Sequence, residues 1–403
     1  MELNASAWQL ITSALVLLIG AAVAVAVGRR LACSSGRSLA LYGWHTLFCV
    51  FYCLYALRYG ADALGYYRNS FVLEGPFAPG TTGVRYLTAL MTQGLGLSLI
   101  GTFLVYNVFG SIGLLAFDGC LRIATRDKTA YIRRLATLIV FLPSVSFWSS
   151  AIGKDAPAFM AVGLALWASL DLGRRPLLMA FAVALMLLVR PHMAGLMVMG
   201  LTVAPLVDPK TTPGKKLLLG TVAAAVAAAM VPFALHYAGV GDNVSADSLK
   251  SYVESRQAQN MAGGGSVDIA SMSLPMQLFT YLFRPLLIEA RSPFALAAAI
   301  DNLILLYLFA AGGYAILQSP ARKQRESRVF LWSYALMAWL VLSMTTANLG
   351  IALRQKWMFA PMLIFLLLSA IGRPRQAQLE PGMTPVMKIY QTYGLLPGQR
   401  RRP

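Results

Sequence analysis

The chain is predicted to be an all-α integral membrane protein, a polytopic bundle of about eleven transmembrane helices with interfacial or re-entrant helices on its outer face. Three observations predict this. Hydrophobic residues make up 58% of the 403 residues and charged residues only 12%, about half the charged fraction of a soluble domain. The mean hydropathy is +0.63. Apolar runs close to the length of a bilayer crossing recur along the sequence.

In chain order the spans fall near 8–27, 39–57, 98–117, 135–152, 156–172, 177–189, 193–207, 217–236, 293–317, 329–347 and 357–371. With the N-terminus outside, the inner connections 28–38, 118–134, 173–176, 208–216 and 318–328 and the tail 372–403 hold 23 of the 34 Lys and Arg residues. This is the positive-inside bias of a cytoplasmic-membrane protein. It accounts for the net charge of +18 without a nucleic-acid partner. Residues 1–372 form one polytopic domain, and 373–403 a basic cytoplasmic tail whose "GQRRRP" is solvated. The first run has no basic region before it and no A-x-A-like site after it, so a retained span is expected there. Cys33, Cys49, Cys53 and Cys120 give no disulfide framework. Cys49 and Cys53, one helical turn apart, are expected to pack as small apolar residues.

The longer connections, 58–97 and 237–292, lie outside. Within the first, "VRYLTALMTQGLGLSL" suits a helix at the interface. The second holds "MAGGGSV" and then "LPMQLFTYLFRPLLIEARSP", a re-entrant or interfacial helix before the ninth span. Between these loops, Leu135–Leu172 carries no charge except Lys154, Asp155 and Asp171. Fully helical, it would extend roughly 57 Å, about twice the hydrocarbon core. It must turn, and "GKDAP" is the place: Gly153 breaks one helix, Asp155 caps the next, and Pro157 falls in a first turn that needs no amide donor.

The remaining charges gather on the outer face: Asp62 in the first loop, Arg190 and His192 in "LVRPHMAG", Arg284, Glu289 and Arg291 in "FRPLLIEARS", and Arg354 and Lys356 in "NLGIALRQKWMFAP". Asp301 sits about 12 Å along the ninth span. Charges at a bilayer surface pair or line a wet cavity, so a polar cavity opening outward is expected. The Arg-Pro dipeptide also marks inner span ends, at Arg175–Pro176 and Arg373–Pro374, and carries no meaning by itself. Three histidines without a Cys/His cluster argue against zinc. "GLGLSLIG" follows no strand and is no dinucleotide fingerprint. The GxSxG elbow of esterases and the P-loop of ATPases are both absent.

Cations around a few carboxylates outside the membrane suit group transfer from a lipid-anchored donor, such as a sugar on polyprenyl phosphate. Arg and Lys would hold the phosphate as leaving group, and a carboxylate would take the proton of an acceptor hydroxyl.

The set "DALGYY", "PSVSFWSSAIGKD", "VRPH", "LFRPLLIEA…AAAIDNL" and "NLGIALRQKWMFAP" resembles a group of bacterial membrane proteins related to the C-fold (GT-C) glycosyltransferases, which use lipid-linked sugars. The resemblance covers most of residues 58–365 and is most specific in the FWSS…KD segment. It implies a GT-C-like fold in the bacterial cytoplasmic (inner) membrane, with the C-terminus cytoplasmic and an inverting transfer on the outer face. It implies Asp62 as general base or metal contact, Asp155 as a second catalytic acid, and a substrate- and phosphate-binding set of Tyr66, Lys154, Arg190, His192, Arg284, Glu289, Arg354 and Lys356. The implied partners are a polyprenyl-phosphate-linked sugar, a glycan or lipid-linked acceptor, and membrane lipid. A divalent cation, Mg or Mn, stays open, because the first loop has one Asp where many C-fold enzymes carry an acidic pair. Lys356 stands where a second Arg is expected, and "FRPLLIEA" lacks an aromatic before its Glu. The layout is also similar to that of O-antigen and exopolysaccharide polymerases, in which the arginines would hold pyrophosphate. A lipid-linked sugar transporter or flippase would predict paired halves and discontinuous helices meeting near the midplane, and no internal repeat is visible. An assembly role would not require so many cations on one face.

Overall fold

The computed structural model describes residues 6–207, 265–269, 271–318 and 326–372, with parts of 211–228 and residues 254–255. The described residues form helices, with one isolated bridge between Ser266 and Asn348. The expected span at 217–236 lies largely outside these residues, as do most of 237–264 and the tail 373–403.

Side-chain caps and backbone breaks set the helix ends. Ser6 accepts from Gln9 N and opens α1 (Ala7–Arg30), and Ser34 accepts from Arg37 N and opens α2 (Ser35–Tyr59). Gly60, at φ +77°, ends α2 and turns the chain into α3 (Asp62–Asn69). Next comes α4 (Thr81–Ala89), continued by a π turn over Leu90–Gly94. Ser98 then caps α5 (Leu99–Thr125). There follow α6 (Ala130–Val140), α7 (Pro143–Ser149), α8 (Asp155–Ser169), α9 (Pro176–Val189) and α10 (Pro191–Val207). The chain is described again at α11 (Leu274–Phe283), α12 (Pro293–Gln318), α13 (Glu326–Thr345), α14 (Leu349–Gln355) and α15 (Ala360–Ala370). Proline begins α7, α9 and α10, where a missing amide proton costs nothing.

Among the described residues, six helices are long and apolar enough to cross a bilayer, with the break at Phe141–Leu142 counted inside one of them. The α14–α15 pair, bent by 65°, makes a seventh if it is one broken span. The remaining expected spans fall on α8, α9 and α10, which are apolar but shorter. Large apolar side chains stand exposed along α1 and α2, among them Leu10, Leu18, Ile19, Leu47 and Leu54. On a protein of this composition such a surface faces lipid.

The buried centre is α5, which packs along α8, α1 and α2. Its crossing with α8 rests on two glycines. A Cβ at Gly163 would stand 2.5 Å from the Gly113 carbonyl oxygen, and one at Gly113 would stand 2.8 Å from that of Phe159. With no hydrophobic drive between helices in lipid, such close backbone approach is what holds them. Polar side chains add fixed points. His45 of α2 lies 2.5 Å from Asn107 Oδ1 of α5 and 2.9 Å from Ser149 Oγ of α7. At the opposite end Asp118, 1% exposed, accepts from Arg37 Nη2 at 2.6 Å and Arg122 Nε at 2.9 Å. Arg122 also donates to the carbonyls of Leu31 and Ala32, which closes the α1–α2 turn.

Gly163→Val is expected to separate α8 from α5 and to cost at least the roughly 1–3 kcal/mol of core overpacking. A thermal melt of the detergent-purified protein checks this, with Gly36→Val, whose added Cβ meets nothing within 4 Å, as the control.

Candidate functional site

Four charged side chains meet at the end of the bundle where α2, α9 and α13 terminate. Asp62 is the first residue of α3, directly after the Gly60 turn. Arg354 is in the last turn of α14. Its Nη1 donates to Asp62 Oδ2 at 2.9 Å, and its Nε is paired with Asp155 Oδ2. The other oxygen of Asp155 accepts from Arg190 Nη2 at 2.6 Å. The result is an alternating row, Asp62–Arg354–Asp155–Arg190, built from residues up to 292 positions apart.

Local geometry explains each position. Gly153, at φ +148°, turns the chain so that Lys154 and Asp155 start α8. Pro157 falls in the first turn, as expected. Asp155 does not cap that helix, however: its start carries no side-chain cap bond, because two guanidiniums engage the carboxylate instead. Arg190 occupies the single-residue joint between α9 and α10. The first loop braces that joint, since Gly80 N donates to the Leu188 carbonyl at 2.8 Å and a Cβ at Gly83 would stand 2.7 Å from the same oxygen. Asn348 caps α14 through bonds to Gly350 N and Ile351 N, and Thr346 Oγ1 donates to Gln355 Oε1 at 3.0 Å.

Exposure divides the row. Side-chain exposure is 8% for Arg190, 14% for Asp155, 21% for Arg354 and 68% for Asp62. Asp62 alone offers its carboxylate to solvent, while Asp155 is committed to two guanidiniums. Tyr66, one turn after Asp62, lies against Gly153. Burial pushes its phenol up to about 12, against the pull of Arg190 and Arg354, so it stays a neutral hydrogen-bonding group. Lys154 and His192 are half-buried at the same turns.

The other expected residues lie elsewhere. Arg284 pairs with Glu289, Nη2 to Oε1 at 2.6 Å, and Glu289 also accepts from Leu286 N at 2.8 Å. These two and Arg291 belong to a separate cavity of about 870 Å³. Its walls are mainly aromatic, with Phe48, Phe51, Tyr55, Phe147, Trp148 and Phe294. Lys356, expected among the outer cations, is fully buried, and its Nζ lies 2.5 Å from Asn302 Oδ1. The 3-10 turn Lys356–Met358 between α14 and α15 rotates it into the bundle, away from Arg354. The cations expected to hold the phosphate, Arg190, Arg284, Arg354 and Lys154, are therefore not one cluster. Arg190 and Arg354 share the carboxylates, and Arg284 belongs to the cavity. Trp148 lines both the cavity and the small space beside Asp155 and Arg354.

Among the described residues no three His, Cys, Asp or Glu side chains are gathered. Asp62 and Asp155 both face Arg354, whose charge opposes a metal.

Comparison with family models, with curated proteins and with solved structures finds no match. The functional reading therefore rests on this geometry. Sequence reasoning did not assign Arg291 or Asn302 to a site. The signal for the cavity was present in Phe48, Phe51 and Tyr55, which recur on one face of α2.

Two outcomes are expected. Asp155→Asn leaves the buried Arg190 without a carboxylate and Arg354 with only the exposed Asp62, a loss of roughly 3–5 kcal/mol, whereas Asp62→Asn, at an exposed pair, costs about 0–1 kcal/mol. Thermal melts of both variants test the contrast, and an unchanged midpoint for Asp155→Asn would contradict it. The second concerns pH. The hydrogen bond from Arg284 holds the Glu289 carboxyl below its ordinary value of 4.5, helped by the Leu286 amide and opposed by partial burial. Any stability from this pair is thus full above about pH 4.5 and is lost as pH falls through the lowered value. A Glu289→Gln variant should show less of that acid-side loss.

Proposed function

We propose that the protein is an integral membrane glycosyltransferase that moves a sugar from a polyprenyl-phosphate carrier to a glycan or lipid-linked acceptor, acting on the outer face of a bacterial cytoplasmic membrane. The carrying observation is the solvent-exposed carboxylate of Asp62, oriented by Arg354 beside an aromatic cavity with arginines at its rim. In this reading α8, α9 and α10 also cross, and the crossings number about eleven. Basic residues at 29–30, 122–134 and 174–175 fall at the helix ends opposite the Asp62–Arg354 row, as a positive-inside orientation requires.

The chemistry follows from the exposure of each group. The acceptor hydroxyl oxygen attacks the anomeric carbon of the donor while the bond from that carbon to the phosphate oxygen breaks. The electron pair leaves with the phosphate, and the hydroxyl proton passes to Asp62. One carboxylate acting as base on a direct displacement inverts the anomeric centre. Arg354 aims the Asp62 carboxylate through its Nη1 bond. Arg190 and Asp155 fix Arg354 in turn, so Asp155 positions the base and does not itself react. The aromatic cavity suits an isoprenoid chain, and Arg284 and Arg291 suit its phosphate. This assignment replaces a clamp built on Arg190 and Arg354.

The test is mass spectrometry of lipid-linked and surface glycans from cells with the wild-type protein, without it, and with Asp62→Asn. A glycan lacking one defined sugar in both altered strains is the expected result. Loss of long chains with complete single repeat units would replace the transferase by a polymerase. Unchanged glycans would overturn both and favour transport of the lipid-linked sugar.

A further inference from the structure

Beneath the cavity lies a second polar group that the transfer reaction does not use. Asp301 and Asn302 of α12 and Lys356 of the α14–α15 joint are all fully buried. Asp301 Oδ2 accepts from Ser144 N of α7 at 3.1 Å. Asn302 Nδ2 donates to the Pro285 carbonyl at 3.1 Å, and Asn302 Oδ1 receives Lys356 Nζ. The lysine is close enough for its charge to act on Asp301. Even so, no ion pair joins them among the described residues, because the ammonium is bonded to the amide.

The other oxygen of Asp301 is the anomaly. Oδ1 is buried and, among the described residues, has no hydrogen-bond partner; the hydroxyl oxygens of Ser144 and Ser146 share that condition. An ionised carboxylate with an unsatisfied oxygen in an apolar bundle is costly. Protonation removes the charge and its cost, and the Ser144 hydroxyl beside the carboxyl can hydrogen-bond to either form. The group also has a route to solvent, because Ser144, Pro285 and Ala298, one helical turn before Asp301, all line the cavity.

We propose that Asp301 is a proton-binding site reached through the cavity, a protonatable carboxyl that takes its proton on Oδ1 and returns it to water entering past Ser144. The bond formed is Oδ1–H and the proton comes from solvent. Lys356 supplies the compensating charge when the carboxyl is ionised. Apart from Lys356, whose ammonium is bonded to Asn302, no other ionisable group among the described residues is placed to serve. α7 offers only hydroxyls, and α15 has no ionisable side chain. The Arg284–Glu289 pair closes on itself at the rim. Tyr281 of α11 packs on Phe359, and His45 of α2 is bonded to Asn107 and Ser149. The site does not depend on the transferase reading.

A lipid-soluble carbodiimide tests it on the whole protein in nanodiscs. The protonated carboxyl gives its proton to a carbodiimide nitrogen while the carboxylate oxygen bonds to the central carbon. The acyl group then migrates to nitrogen, leaving a stable N-acylurea with every atom retained. Site-mapped mass spectrometry is expected to find this adduct on Asp301, rising several-fold as the medium passes from mildly alkaline to mildly acidic. Asp118, held by two arginines, should stay unmodified, and a water-soluble carbodiimide should prefer Asp62. An Ala298→Cys variant labelled by a lipophilic maleimide shows that reagent reaches the cavity floor. With that access shown, an unmodified Asp301, or labelling that ignores pH, would overturn the proposal. The readout needs no change at Asp301, so a variant that fails to fold does not confuse it.

Discussion

One guanidinium holds together the end of this bundle at which Asp62 lies. Arg354 reaches Asp62 through Nη1 and Asp155 through Nε, and only a planar fork with several fixed donors can hold two carboxylates in one orientation. A lysine in its place would offer one point charge and could not fix both directions. Because Asp155 also takes Arg190, two acids balance two bases, and the row adds no net charge where the protein meets the low-dielectric core. Four stretches far apart in sequence must arrive together for this to happen: the Gly60–Asp62 turn, the Gly153–Asp155 turn, the Arg190 joint and the α14 helix. The Asn348 cap, the Thr346–Gln355 bond and the Gly80 bond to Leu188 are the local devices that bring them there.

The scaffold below supplies rigidity by means suited to lipid. Apolar area cannot drive helices together in a bilayer, so contact comes from small residues and internal hydrogen bonds. Gly113 and Gly163 bring the α5 and α8 backbones into contact, and His45, Asn107 and Ser149 link α2, α5 and α7. Asp118 with Arg37 and Arg122 does the same at the basic end. Since α8 begins at Asp155 and α7 ends at the turn before it, this packing places the carboxylate that both arginines share.

Much of the architecture was legible in the sequence. The apolar runs and the basic inner turns predicted a helical membrane protein, and the GKDAP turn, the joint at Arg190 and the first-loop position of Asp62 all appear in the structure. Local rules missed whatever depends on partners distant in sequence. Asp155 at a helix start suggests a cap, but the rule is blind to two arginines 35 and about 200 positions away. Arg354 and Lys356 look alike in "LRQKW", yet two residues of helix and a 3-10 turn send them to different places, one to the aqueous row and one to the bundle interior. The grouping of Arg190, Arg284 and Arg354 failed for a related reason. Shared depth in a membrane does not imply contact, and Glu289, five residues from Arg284, is the closer anion.

The separation of these cations argues for a division of labour. In the transferase we propose, a phosphate arriving at Arg190 or Arg354 would have to displace carboxylates already bonded there, and in doing so would release the proposed base. At the cavity rim the balance differs: Glu289 satisfies Arg284, but among the described residues Arg291 has no ion pair and is exposed. An anionic headgroup there gains a charge-assisted contact without dismantling the Asp62–Arg354 pair. Trp148 lines both spaces, and in the proposed transferase a sugar held at the cavity would pass it to meet the Asp62 carboxylate. In that proposed reading the cavity and the charged row serve because they are distinct: one can bind an anion while the other keeps its own.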